Sequence, residues 1–326
     1  MKYDLVSIGG AVEDITFYPD DAIVVDNKHD ILRQRLLAFE YGAKIKVKEA
    51  HSTFGGGAAN AAVSAKNLGL KSACVCAVGD DYRGKSIIRN LKEQKVDTRY
   101  IKKIRGEMSG FSFLLVGPEN EHVIFSHRAA NAKLEISNNI LKKIDSEWIY
   151  ITSLSGDWHP IVNNIFKHHN RFKVAWNPGY IQLTEGISFM KKFLKHTDVI
   201  NLNEDEAIEF VATCRKAMRG RGKSHKFLSN IKNLLTVIHS YGPEVVMITR
   251  GRKGADAYDG KKFYHTNIKK EAKRVDTTGV GDAFGSAFVS GLKLYDGNIE
   301  KAMNLGIRNS ASVIAEKGAQ NGLLKL

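Results

Sequence analysis

The chain has 326 residues, 43% apolar and 26% charged, enough to bury a sizeable core as one large α/β domain or two smaller ones. No apolar run reaches the roughly 18 residues of a membrane span, and MKYDLVSIGG carries Asp4 in a core too short and too charged for a signal peptide, so a cytoplasmic location is expected. The net charge of +14 would suit an anionic partner, and part of it is local: no acidic residue occurs between Phe210 and Pro243.

In chain order, strands are predicted at residues 3–8, 72–78, 148–152, 173–177, 199–202 and 244–249. Helical length and spacing mark 58–68, 85–94, 138–144, 158–169, 186–195, 204–212, 226–239, 280–292 and 298–316. Alternation of the two predicts a doubly wound, mostly parallel sheet with helices on both faces. Two regions break it. Residues 12–53 and 98–128 contain short alternating segments, KIKV, FSFLLV and HVIFS, with turn chemistry at GPEN, and read as antiparallel strands of a small separate sheet. Such a β-insertion near the substrate side of an α/β core suits a lid that excludes water. No repeat, low-complexity segment or Pro-rich linker divides the chain, and one domain over 1–326 is expected.

Cys74, Cys76 and Cys214 show neither zinc-ligand nor redox spacing, and the histidines show no ligand motif, so no metal is assigned to them. The run CRKAMRGRGKSHK gathers Arg215, Lys216, Arg219, Arg221, Lys223 and Lys226. Without interleaved aromatics or a nucleic-acid motif it reads as a solvated basic loop, and a nucleic-acid partner is not expected.

Two glycine-rich loops compete for phosphate. GDDYRGKS, Gly79 to Ser86, fits the P-loop pattern and follows an apolar strand. It places Asp80 and Asp81 where a triphosphate would lie, and no candidate strand ends in the acid that would help to hold magnesium. DTTGVGDAFG, Asp276 to Gly285, is more specific. Its small residues let the N–H groups of Gly279, Val280 and Gly281 converge at a helix start, an anion hole for a phosphoryl group. Asp282 follows at once, a carboxylate able to take a proton from an incoming hydroxyl; the alternative is a helix-capping aspartate.

With GGGAAN (Gly55 to Asn60), VGDDYRG, NEDE (Asn203 to Glu206) and TRGRKG (Thr249 to Gly254), the DTTGVGD segment resembles the ordered signatures of ribokinase-like sugar and nucleoside kinases, the phosphofructokinase-B family, over Lys2 to Gln320. The resemblance implies ATP-dependent transfer of a γ-phosphoryl group to a sugar hydroxyl, with Asp282 as base and the 279–281 amides as anion hole. It makes GDDYRGKS a structural turn on the sugar side. Asn203 and Glu206 match the block that positions Mg²⁺ and phosphates, mostly through water, and equally read as an N-cap with acidic first-turn residues. Thr249, Gly251 and Gly254 fall on the nucleotide side, and Asn309 is placed facing the adenine. Asp14, Gly56, Gly57 and Asn60 match the acceptor side. A monovalent cation such as K⁺ would take Asp276, Thr278 and the segment around Gly318, and lids in similar proteins often pair into homodimers. Gly57 stands where ribokinases commonly carry Lys, which puts ribose itself in doubt, and Val280 replaces the usual Ala. A nucleoside acceptor, for which Phe17, Tyr18, Phe54 and Phe111 are available to stack, a phosphorylated sugar held by Arg105 and Arg128, and a non-catalytic sugar sensor are the other readings.

Overall fold

Strand β1 (Tyr3–Ile8) runs through Gly9 to Ala11 into β2 (Val12–Pro19); β3 (Ile23–Asp26), β4 (Arg35–Ala38), β5 (Val47–Gly55) and helix α1 (Gly57–Asn67) follow. Then come β6 (Ser72–Val75), β7 (Ala77–Gly79), α2 (Tyr82–Glu93), β8 (Lys102–Ile104), β9 (Phe111–Val116) and β10 (His122–His127). The middle holds α3 (Asn138–Lys143), β11 (Ser146–Ile151), α4 (His159–Lys167), β12 (Lys173–Trp176), α5 (Tyr180–Thr184) and α6 (Ile187–Leu194). β13 (Val199–Asn203) leads to α7 (Glu204–Ala212), α8 (Arg215–Met218), α9 (His225–Leu228), α10 (Ile231–His239) and β14 (Val245–Thr249). The last elements are β15 (Ala255–Tyr258), β16 (Phe263–Thr266), α11 (Val280–Leu294) and α12 (Ile299–Val313). This computed structural model describes residues 2–27, 35–117, 122–219, 225–269 and 274–326. Arg221 and Lys223 of the basic run, and most of the GPEN turn, lie outside them.

The central sheet has eight strands in the order β16-β15-β14-β13-β12-β11-β1-β6, parallel from β14 to β6. Strand alternation sorts its side chains into two cores. Ile149, Ile151, Val174, Trp176, Ile200, Leu202, Val246 and Ile248 face one layer with Phe193 and Phe210. Trp148, Tyr150, Ala175, Val199 and Met247 face the other, against Phe284 and Phe288 of α11 and Met303 of α12. Burial on both faces is why these strands read as nearly unbroken apolar runs. Their C-terminal ends share one edge, where ligands of open α/β sheets bind.

The expected doubly wound layer is present, with differences. β15 and β16 extend the sheet as an antiparallel hairpin, and the Asp259-Gly260 pair was the turn signal available for it. Residues 72–78 form two strands because the chain breaks at Cys76: β6 pairs with β1, and β7 leaves the sheet to pair with β8. Residues 226–239 split where Asn230 caps α10 by accepting the Lys232 N–H at 3.0 Å.

The lid is a separate four-stranded sheet, β10-β9-β2-β5. It is not wholly antiparallel, since β2 runs parallel to β9. KIKV is not a strand: β5 begins only at Val47. Because β2 continues directly from the C-terminal end of β1, the lid's first strand starts at the cleft edge. Among the described residues no helix is long and apolar enough to cross a membrane.

Candidate active site

The 276–282 turn is anchored before it reaches α11. The Asp276 carboxylate accepts the Thr278 N–H through Oδ1 and the Gly318 N–H through Oδ2, both at 2.9 Å. Asp276, Thr278 and Gly318, assigned together to a cation by resemblance, are thus neighbours, and Thr278 Oγ1 is buried with no partner among the described residues. Gly279 is the N-cap of α11 in the left-handed region, φ 74°. Of the three amides expected to form an anion hole, the Val280 N–H closes a long 3.4 Å bond onto the Thr277 carbonyl. Gly281 is exposed beside it. Asp282 lies in the first turn of α11, where its Oδ2 accepts from Asn60 Nδ2 at 2.8 Å. Burial raises the Asp282 carboxyl above its usual range and the Asn60 bond opposes this.

The 279–282 turn shares a 270 Å³ cavity with Asn177, Asn201, Asn203, Glu206 and Thr249, so chain segments distant in sequence meet at one site. Asn203 and Glu206 form a reciprocal capping box: the Glu206 N–H donates to Asn203 Oδ1 at 2.8 Å, and the Asn203 N–H to Glu206 Oε2 at 2.9 Å. Burial pushes the Glu206 carboxyl up; the Asn203 N–H opposes it, and the nearby Asp282 charge adds to it. Thr249 sits opposite Asn203 in the β13–β14 register. Gly251 and Gly254 form the turn after β14, closed by the Arg250 N–H on the Gly254 carbonyl at 2.8 Å. The Arg250 guanidinium holds this turn to α7 and β15 through Glu204 at 3.0 Å and Asp256 at 3.2 Å.

Asn309 does not face a nucleotide. It is fully buried, its amide nitrogen donates to Ser64 Oγ and the Ala283 carbonyl, and its oxygen accepts the Leu324 N–H. It joins α12 to α1 and α11, an arrangement with nothing left for a base.

On the acceptor side, Asp14 is 6% exposed on the cleft face of β2. Burial pushes its carboxyl up to about 6; a Ser112 hydrogen bond opposes this, and Asp276 and Asp282 add to it. Gly56 has φ 92°, and a Cβ there would lie 2.6 Å from the Gly10 carbonyl, so the start of α1 touches the β1–β2 junction. Gly57 opens α1 against Thr152. Asn60, only 3% exposed, is turned to Asp282.

The stacking residues are placed otherwise than a base-binding pocket needs. In the register Glu13 pairs with Phe54 and Phe111, while Asp14 pairs with Thr53 and Ser112, so Phe17, Phe54 and Phe111 lie on the face away from Asp14. Tyr18 shares the Asp14 face, but its ring packs on His51 and lies under Lys317. Arg128 is exposed, and its charge lowers the Asp14 carboxyl. GDDYRGKS is a buttressed turn: Asp81 caps α2 by accepting the Gly84 N–H, and also takes the Ser109 N–H and hydroxyl at the foot of the lid. Lys85 is exposed on α2.

Sequence reasoning missed Asn177 and Asn201. Their signal was position: Asn177 follows a parallel strand at its C-terminal end, and Asn201 precedes Asn203 by two on the same strand. Asn177 Nδ2 donates to the Asn201 carbonyl at 2.8 Å. A larger hollow of 570 Å³ lies at the opposite edge, among Asp145, Lys173, Asp198 and Glu244. It holds none of these groups.

Asp14→Asn gives a stability test. A carboxyl raised on folding favours the native state fully below the unfolded value of 3.8, and that advantage is lost as pH rises through about 6. Asn carries no charge to desolvate. The variant is expected to be about 1–3 kcal/mol more stable than wild type at pH 8, with no gain below pH 4. Urea unfolding at the two pH values measures it.

A mostly parallel central sheet flanked by helices, with a separate small β-sheet lid, is the architecture of ribokinase-fold kinases. The model of the pfkB family of carbohydrate kinases matches residues 21–326, and the chain belongs to that family. It is 26% identical over 320 residues to an ATP-dependent 6-phosphofructokinase of Thermoanaerobacterium thermosaccharolyticum, covering 93% of each chain. To a ribokinase of Haemophilus influenzae it is 29% identical over 277 residues, 83% of this chain and 84% of that one. The fold is shared with the Burkholderia thailandensis nucleoside kinase in complex with inosine, at TM-score 0.76 and 15% identity over 98% of this chain and 94% of that one.

Proposed function

We propose that the protein transfers the γ-phosphoryl group of Mg-ATP to a hydroxyl of a small sugar. The observation that carries this reading is the shared cavity: the Asp282 carboxylate and the first amides of α11 open onto the same space as Asn203 and Glu206. Asp282 takes the acceptor's proton, while Gly279 and Gly281 direct N–H groups, with the α11 dipole, at the charge that builds on the phosphoryl oxygens. Asp14 orients the acceptor through its two oxygens. Glu206 spends one oxygen on the capping box and keeps the other for a water of Mg²⁺, which when bound neutralises phosphate charge. Thr249, Gly251 and Gly254 line the nucleotide side. The Thr278 hydroxyl, without a partner among the described residues and beside Asp276 and Gly318, fits a K⁺ site.

A sugar phosphate is the second reading, favoured by Arg128. Its exposed guanidinium makes no ion pair among the described residues yet acts on Asp14, and the similar 6-phosphofructokinase is named for such a substrate. ADP release from Mg-ATP over pentoses, hexoses, sugar phosphates and nucleosides separates the readings. Turnover with a neutral sugar supports the first; turnover only with phosphorylated sugars, lost in Arg128→Ala, supports the second. ADP release that no acceptor stimulates would sink both.

The lid carries Phe17, Phe113 and Phe125 on its outer face, with Phe125 55% exposed. A second copy of the chain covers this face in our reading. Phe125→Lys is then expected to turn a dimer into a monomer by light scattering; a wild-type monomer at assay concentration would refute the pairing.

A further inference from the structure

Behind Asp282 three side-chain amides stand in single file. Asn60 Nδ2 donates to Asp282 Oδ2 at 2.8 Å, Gln320 Nε2 donates to Asn60 Oδ1 at 3.0 Å, and Asn90 Nδ2 donates to Gln320 Oε1 at 2.9 Å. The residues come from α1, the segment after α12, and α2, so the file crosses three parts of the fold.

Its direction is dictated by chemistry. An ionised carboxylate only accepts, so Asn60 turns its NH₂ to Asp282 and its oxygen to Gln320. Gln320 must answer with its own NH₂, which leaves its oxygen for the NH₂ of Asn90. Asn60 is 3% and Gln320 9% exposed, so both amides are largely shielded from bulk water. Reversing any one member would set two oxygens or two NH₂ groups face to face in a buried place, at the cost of unmade hydrogen bonds. Without Gln320, Asn60 could turn its oxygen to accept from a protonated Asp282, which would favour the neutral acid.

We infer that Gln320 and Asn90 are positioning residues for the base: they lock the Asn60 amide with its donor toward Asp282, keeping that carboxylate ionised and aimed as the acceptor enters. The inference rests on the reading of Asp282 as the base. It assigns a function to GAQ at 318–320, whose partner on α2 is 230 positions away. Asn90 also links this file to the helix whose first turn is tied through Asp81 to Ser109 at the lid's foot.

The test compares wild type, Gln320→Met, Asn90→Ala and Asp282→Asn. Methionine keeps the volume of Gln320 and removes its donor and acceptor; Asn90→Ala is the milder change at the partly exposed end. Expected for Gln320→Met is a kcat lower by roughly 10- to 100-fold, KM for ATP within about twofold, and an acid limb of kcat/KM for the acceptor moved to higher pH. Asn90→Ala is expected to shift the limb the same way by less. A ¹³C titration of the Asp282 carboxyl, which needs no acceptor, should move upward in both. If Gln320→Met only lowers the unfolding temperature and leaves kcat, the limb and the titration unchanged, the amides are packing alone and the inference fails. Wild-type turnover by Asp282→Asn would instead overturn the base itself, and the file's role with it.

Discussion

Asp282→Asn is expected to lower kcat by about 10²- to 10⁴-fold, the range for losing a positioned general base, while the protein stays folded. The two side chains have nearly the same volume, and the amide oxygen can still accept from Asn60, which now donates to Asp282 at 2.8 Å. Burial raises the carboxyl of Asp282. Its ionisation therefore opposes folding above the normal carboxylate range, and a neutral amide removes that term. Stability at pH 8 should be equal to or above wild type. KM for ATP should hold, because the residues proposed for the nucleotide side, Asn203, Glu206 and Thr249, line other parts of the cavity. ADP release and urea unfolding on the same preparation check the pair of expectations. Loss of turnover with stability intact identifies chemistry; loss of both would point to misfolding, and retained turnover would remove Asp282 from the mechanism.

Gly279→Ala should damage both the fold and the turn that opens α11. The residue is left-handed at φ 74°, and an added Cβ would lie 2.3 Å from the Ala319 Cβ. Left-handed backbone costs an alanine about 1–2 kcal/mol, and overpacking against the C-terminal segment about 1–3 kcal/mol more. The turn would relieve the clash by moving, and its amides would leave the position proposed for the phosphoryl charge. A stability loss of about 2–4 kcal/mol and a kcat loss of at least about 10²-fold are expected. Gly281→Ala is the control. A Cβ there meets nothing within 4 Å, and Gly281 is absent from the positive-φ glycines. Its N–H remains, so it should keep stability within about 0.5 kcal/mol of wild type and turn over within a few-fold. Comparable damage from both alanines would show that bulk, not backbone geometry, is what the loop cannot accept.

Local chemistry made much of this site legible in the sequence. DTTGVGD announced a turn into a helix because small residues permit the turn and the helix start presents free N–H groups. NEDE announced a helix start, an N-cap with acidic first-turn residues, and Asn203 with Glu206 closes it as a reciprocal capping box. The parallel strands were readable because burial on both faces leaves unbroken apolar runs. GDDYRGKS shows the limit of a local pattern: its letters allow a phosphate loop, and Ser109, 28 residues on from Asp81, holds it as a turn at the lid.

Asn309 shows why the remainder stayed hidden. An asparagine on a late helix can face a ligand or hold helices together, and only the positions of Ser64, Ala283 and Leu324 decide between the two. The aromatic residues of the lid divide for a similar reason. Strand alternation is readable in each segment, but which face meets the cleft depends on the β2–β9 and β2–β5 registers. The sequence by itself determined the layered α/β architecture, the turn into α11 and the capping of α7, because each follows from neighbours within a few residues. Only the tertiary structure decided that Asn60, Gln320 and Asn90 line up behind Asp282, since hydrogen-bond direction among buried amides is set by contacts between segments that no local spacing connects.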